Sequence, residues 1–128
     1  MAKHVMALTY LHKVEPVLSG LCTQTIRTMR IKPINVGDII TFHGWEGRPY
    51  RSPWDWRKRV TVNAVIPAKL SEAGMFIDGI LHAWTSWYPA RLAEYDFIEP
   101  ATGEALRDVL FGLNRVPKEP TEYQIIRW

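Results

Sequence analysis

Cysteine is almost missing from this chain: Cys22 stands alone among 128 residues. One thiol excludes an internal disulfide and a thiolate-rich metal site. No apolar run approaches the roughly 20 residues of a membrane helix, and Met1 to Met6 lack the longer apolar stretch of a signal peptide. The expectation is a cytoplasmic chain with no membrane partner. His4, His12, His43 and His82 are scattered, with no His-x-x-x-His pair, so no metal is expected. Gly44-Trp45-Glu46-Gly47 does not match a phosphate-cradling loop, and no cofactor is expected. Internal repeats, low-complexity tracts and clear linkers are also lacking, which leaves a single domain over residues 1–128.

What is present is ordinary globular composition, 47% hydrophobic and 23% charged, unevenly arranged. Residues 23–60 hold eight basic side chains (Arg27, Arg30, Lys32, Arg48, Arg51, Arg57, Lys58, Arg59) against Asp38, Glu46 and Asp55. Residues 61–128 are net acidic. A basic segment beside an acidic one fits either a phosphate-binding face or solvated charges that mix on folding.

Periodicity places a strand at Val5–Leu11 and a helical turn at Val14–Ser19, with Pro16 in its first turn and Gly20 just past its end. Thr23 to Met29 alternates with period two: Thr23, Thr25, Arg27 and Met29 share one face, Gln24, Ile26 and Thr28 the other. Val36-Gly37-Asp38 reads as a turn opening a strand at Ile39–Phe42. His43 to Trp56 is a loop with two Gly, two Pro, three Trp and Tyr50. Further strands are expected at Val60–Ile66, stopped by Pro67, at Met75–Leu81, interrupted by Gly79, and at Tyr123–Trp128. Pro89–Glu94 reads as a short helix. Thr102 N-caps another, whose Leu106, Val109, Leu110 and Leu113 form one apolar stripe assigned to the core, with Asn114 closing it. About six short strands and two or three short helices predict an α+β, mostly β fold, a small antiparallel β-barrel with helices at its ends.

Two features carry chemistry. Thr23, Thr25 and Arg27 put hydroxyls and a guanidinium on one strand face, which suits a phosphate, a base edge or a carboxylate. The 43–56 loop and the residues just after it interleave Arg48, Arg51, Arg57, Lys58 and Arg59 with Trp45, Tyr50, Trp54 and Trp56, and cations beside aromatics suit single-stranded nucleic acid. Such a loop can equally pack on itself. A second cluster, Trp84, Trp87, Tyr88 and Tyr95, lies among acidic residues and reads as core or a protein-partner surface.

The stretch Gly20-Leu21-Cys22-Thr23-Gln24-Thr25-Ile26-Arg27 resembles the first motif of the ASCH family, a branch of the PUA-like fold. That motif runs from a helix end into Gly-Arg-Lys-Thr-x-Thr-Ile-Arg. Val36-Gly37-Asp38-Ile39-Ile40 is similar to the family's Gly-Asp turn. Ala93 to Phe97, Glu104 to Leu113 and Tyr123 to Trp128 are similar to its acidic-aromatic stretch, helix and terminal strand. The resemblance implies a PUA-like barrel with a cleft that binds RNA or a modified nucleotide. Thr23, Thr25 and Arg27 would line the cleft, Arg30, Arg48 and Arg51 would meet phosphate, Trp54 would stack a base, and Asp96 would hydrogen-bond a base or sugar. One branch of the family hydrolyses N4-acetylcytidine with a Lys, a Thr and an acid. Carried over, these fall on Cys22, Thr25 and Asp96. With Cys22 in place of the lysine, the reading leans to binding rather than catalysis. A protein-interaction module is the third alternative.

Overall fold

The computed structural model describes residues 1–8, 10–29, 31–44, 53–112 and 116–128. Among them, eight strands form two sheets. In the smaller sheet, β1 (Lys3–Ala7) pairs in parallel with β3 (Ile39–His43), which pairs antiparallel with β4 (Arg57–Thr61). The larger sheet is antiparallel throughout. Its order is β2 (Gln24–Thr28), β8 (Thr121–Arg127), β5 (Ala64–Ser71), β6 (Gly74–Ile77), β7 (Ile80–His82). Three helices complete the fold: α1 (Leu11–Ser19), α2 (Trp87–Tyr95) and α3 (Gly103–Phe111). The class is α+β and mostly sheet, as expected, but neither sheet closes into a barrel among the described residues.

The two extra strands arise where the sequence reading ran elements together. Val60–Ile66 is two strands, because the chain leaves the small sheet at Thr61 and enters the large one at Ala64. Pro67 does not stop β5. It lies where β5 pairs only with β8, before β6 joins at Lys69, so its missing N–H costs no ladder bond on the open side. Met75–Leu81 is a hairpin. Asp78 and Gly79 both have positive φ (53° and 74°), the geometry a two-residue turn between paired Ile77 and Ile80 requires. At the start of the chain, the strand ends at Ala7 and Leu11 opens α1, so Pro16 lies inside that helix rather than in its first turn.

The core has two halves, and β8 divides them. Ile125 belongs to a cluster with Leu70, Met75, Trp84, Leu92, Leu106 and Phe111, beneath α2 and α3. Ile126, on the opposite face, joins Met6, Val17, Ile34, Ile40 and Phe42. The strand is thus buried on both sides, as an interior strand with two covered faces must be.

Helix ends follow their sequence signals unevenly. Gly20 adopts φ 84° and its N–H returns to the Val17 carbonyl. Thr102 Oγ1 accepts from the Ala105 N–H at 3.1 Å. Gly103 is required for another reason: a Cβ there would overlap the Trp84 carbonyl oxygen, so the start of α3 packs directly on the chain leading into α2. The helix ends at Phe111 with Gly112 as cap. Leu113 and Asn114 lie outside the described residues. The apolar stripe is only partly core: Leu106 is fully buried, Leu110 half-buried, and Val109 is 42% exposed.

The Gly37-Asp38 turn acts as a clasp. The Asp38 carboxylate accepts from the Ala2 N–H (3.0 Å), the Asn35 N–H (2.9 Å) and His4 Nε2 (2.9 Å), tying the start of β1 to the entry of β3. These bonds, the Asn35 N–H foremost and then His4, hold the Asp38 carboxyl down at about 2. An unfolded aspartate titrates near ~3.9, so on acidification the unfolded chain takes the proton first. The clasp's contribution is complete above about pH 4 and is lost as pH falls toward 2. Urea midpoints measured across that window should fall steeply in the native chain and less steeply in Asp38→Asn.

Candidate functional site

The site begins with a residue that sequence reading passed over. Because α1 starts at Leu11, Lys13 and Val17 lie four apart and share its inward face. Val17 is fully buried and Lys13 is 4% exposed. A lysine is almost never buried so far without a partner. Here Lys13 Nζ lies 3.0 Å from Asp96 Oδ1, and Asp96 is itself 5% exposed. Asp96 closes α2, its N–H bonded to the Leu92 carbonyl. A carboxylate at the negative end of a helix dipole is unfavourable, and the ammonium offsets it.

Gln24 steadies the carboxylate. Its Nε2 donates to Asp96 Oδ1 and to the Leu92 carbonyl, both at 3.4 Å, while its Oε1 accepts from Arg127 Nε at 3.0 Å. Oδ1 therefore takes both contacts, and among the described residues Oδ2 has no hydrogen-bond partner. Lys13 has the same surplus, since an ammonium offers three N–H groups and among the described residues it meets one acceptor.

Lys13 and Asp96 open into a cleft of about 260 Å³ with Thr25, Arg27, Tyr10 and Tyr123. Thr25 is 2% exposed; its Oγ1 accepts from Arg27 Nε at 3.2 Å, and Arg27 Nη2 donates to the Ala7 carbonyl at 2.9 Å. Leu8, Ile98, Val109 and Leu110 make the apolar wall. Two residues of the α3 stripe therefore reach the cleft, Val109 and Leu110, and Leu110 packs against the core as well. The space lies below the roughly 300–1,000 Å³ of drug-sized pockets. That volume is of the order of one ring with a small substituent.

The remaining expected site residues divide. Thr25, Arg27 and Asp96 meet at the cleft. Thr23 does not join them: β2 begins at Gln24, and exposed Thr23 lines a neighbouring cleft with Tyr95 and Arg127. Cys22 is fully buried, its Sγ 3.5 Å from the Gln24 and Tyr95 carbonyls. Burial pushes its thiol pKa up, against the lowering effect of Lys13, so it is no thiolate at neutral pH. Trp54 does not line the cleft. The His43 ring stacks on it at 4.0 Å and the Arg57 guanidinium sits 4.6 Å from its centroid, so its π surface is already engaged. Arg30, Arg48 and Arg51, with Trp45 and Tyr50, lie outside the described residues.

Comparison with protein-family models, curated proteins and solved structures returns no match.

Trp84 belongs to the core, 4% exposed with Nε1 donating to the Ser71 carbonyl at 2.9 Å, so it offers nothing to a partner. Trp87 is 72% exposed and Tyr88 stacks on His82. Among the described residues no group of three His, Cys, Asp or Glu could hold a metal, and no helix is long and apolar enough to cross a membrane. Sequence signals for Lys13 and Gln24 were slight. Only a correct start for α1 would have put a lysine on its apolar face.

Proposed function

We propose that this chain is a PUA-like domain of the ASCH type whose cleft receives one modified nucleobase, carried on RNA or on a nucleotide. One observation carries the reading: a buried ammonium and a buried carboxylate oxygen, both with unused hydrogen-bonding capacity, face a space the size of a substituted ring. Buried polar groups without partners are costly and point to a ligand that satisfies them. Lys13 Nζ and the Thr25 hydroxyl offer donors, and Asp96 Oδ2 an acceptor. The Arg27 guanidinium adds positive charge for a phosphate or carbonyl, and the Val109–Leu110 wall accepts an apolar substituent. Isothermal titration with N4-acetylcytidine and with cytidine tests this. The expected result is binding of the modified nucleoside, weakened at least about tenfold in Arg27→Ala, the cost of one hydrogen bond to a charged group. Absence of heat with both nucleosides, and with RNA containing either, would sink the reading.

A second reading has its own support. Lys13, arriving from α1, brings to Thr25 and Asp96 the ammonium that Cys22 does not supply, so the cleft holds what hydrolysis of an acylated exocyclic amine needs. Asp96 would take a proton from water, whose oxygen adds to the acyl carbon while Lys13 and Thr25 donate to the developing oxyanion. The C–N bond then breaks and the amine leaves with the proton. Incubation with N4-acetylcytidine would release cytidine and acetate, and Lys13→Met would stop it. Binding without release leaves the cleft as a binding site only.

A further inference from the structure

A shallow groove adjoins the cleft. Thr28, the last residue of β2, lines both: on one side it follows Thr25 and Arg27, and on the other it faces Lys3, Val5, Met29, Ile31 and Lys32. The lining is of two kinds. Lys3 and Lys32 are exposed cations, while Val5 is 48% exposed and Ile31 fully so. Among the described residues no carboxylate lines the groove. Asp38 is buried behind His4 with its oxygens taken by three hydrogen bonds, and exposed Glu122, whose carbonyl accepts from the Met29 N–H, lines a different pocket with Lys69.

Resting on the cleft reading above, we propose that the base is delivered on single-stranded RNA whose neighbouring nucleotides leave the cleft over Thr28 and lie in this groove. The lysines neutralise phosphates, and the apolar side chains between them meet the faces of unstacked bases. Charge complementarity and continuity with the cleft favour this occupant over an anionic lipid surface, which would need no adjoining base-sized pocket. A free nucleoside would leave the groove idle.

The test uses the intact chain, N4-acetylcytidine as nucleoside, a six-nucleotide RNA containing it, and vesicles containing phosphatidylserine. Both lysines are exposed, so Lys3→Gln/Lys32→Gln keeps the fold. The hexamer should bind more tightly than the nucleoside. Two phosphate contacts on a single strand steepen the log–log salt slope by about 1.4, about sevenfold extra loss between roughly 50 and 200 mM salt. The double variant should lose that increment and keep its nucleoside affinity. Equal affinity for nucleoside and hexamer, or an unchanged slope in the variant, overturns the groove while the cleft stands. Binding of neither ligand overturns the cleft reading and the groove with it. Lysine-dependent binding to vesicles without binding to the hexamer assigns the groove to a lipid surface and overturns the RNA proposal.

Discussion

Replacing Lys13 with methionine is expected to cost about 3–5 kcal/mol of stability, because Asp96 is left charged and buried without its partner. Shape is nearly kept, since methionine fills most of the volume of the lysine stem. The loss is therefore electrostatic, and removing both charges should recover much of it. Lys13→Met/Asp96→Leu is expected to unfold in urea at a midpoint well above that of the single variant, because a buried ion pair contributes little net over apolar groups of similar volume. Ligand binding gives the opposite ranking test. The double variant regains stability and still lacks the ammonium and carboxylate, so it should not bind. A double variant as unstable as the single one would show that the pair is not the buried couple described.

The difficulty of seeing Lys13 in the sequence is itself physical. Proline is favoured in the first turn of a helix, so Pro16 drew the expected start of α1 down to Val14 and left Lys13 in a connector. The helix instead tolerates Pro16 inside, and three added residues bring Lys13 onto the face of Val17. Local signals with one cause were legible: the left-handed Gly20, the Thr102 cap, the Gly37-Asp38 turn and the Thr25–Arg27 alternation. Signals with two outcomes were not. A period of 3.6 identifies a face of α3 but not what the face meets, and here Leu106 lies in the core, Leu110 touches both core and cleft, and Val109 lines the cleft. The Asp78-Gly79 pair looks like an interruption in one strand or a turn between two, and only its pairing partners decide. Nothing in Val62-Asn63 announces that the chain changes sheets there.

Trp84→Ala carries the second large effect. The indole is 4% exposed, packs edge-on to Phe111 at 6.2 Å, and donates to the Ser71 carbonyl at 2.9 Å. Truncation removes a large aromatic from the cluster beneath α2 and α3 and leaves that carbonyl without its donor, at an expected cost of about 3–5 kcal/mol. Trp84→Phe keeps most of the ring and loses the N–H, so it should cost clearly less. The effect also reaches the cleft: Gly103 packs against the Trp84 backbone, and α3 carries the Val109–Leu110 wall. Chemical denaturation ranks the three chains. A Trp84→Ala chain as stable as the native one would show that the α2–α3 layer does not depend on this side chain.

The place of β8 bears on how the chain comes to be folded at all. It is the last of the described strands in sequence and the second in its sheet, and it joins β2, about a hundred positions earlier, to β5. Until residues 121–127 have left the ribosome, β2 has no neighbour and both halves of the core lack a wall. The β2–β8 and β5–β8 pairings are non-local, so this part of the large sheet is expected to form more slowly than the local β5–β6–β7 meander. A chain truncated before Thr121 would present two open strand edges, the state in which β-rich proteins aggregate.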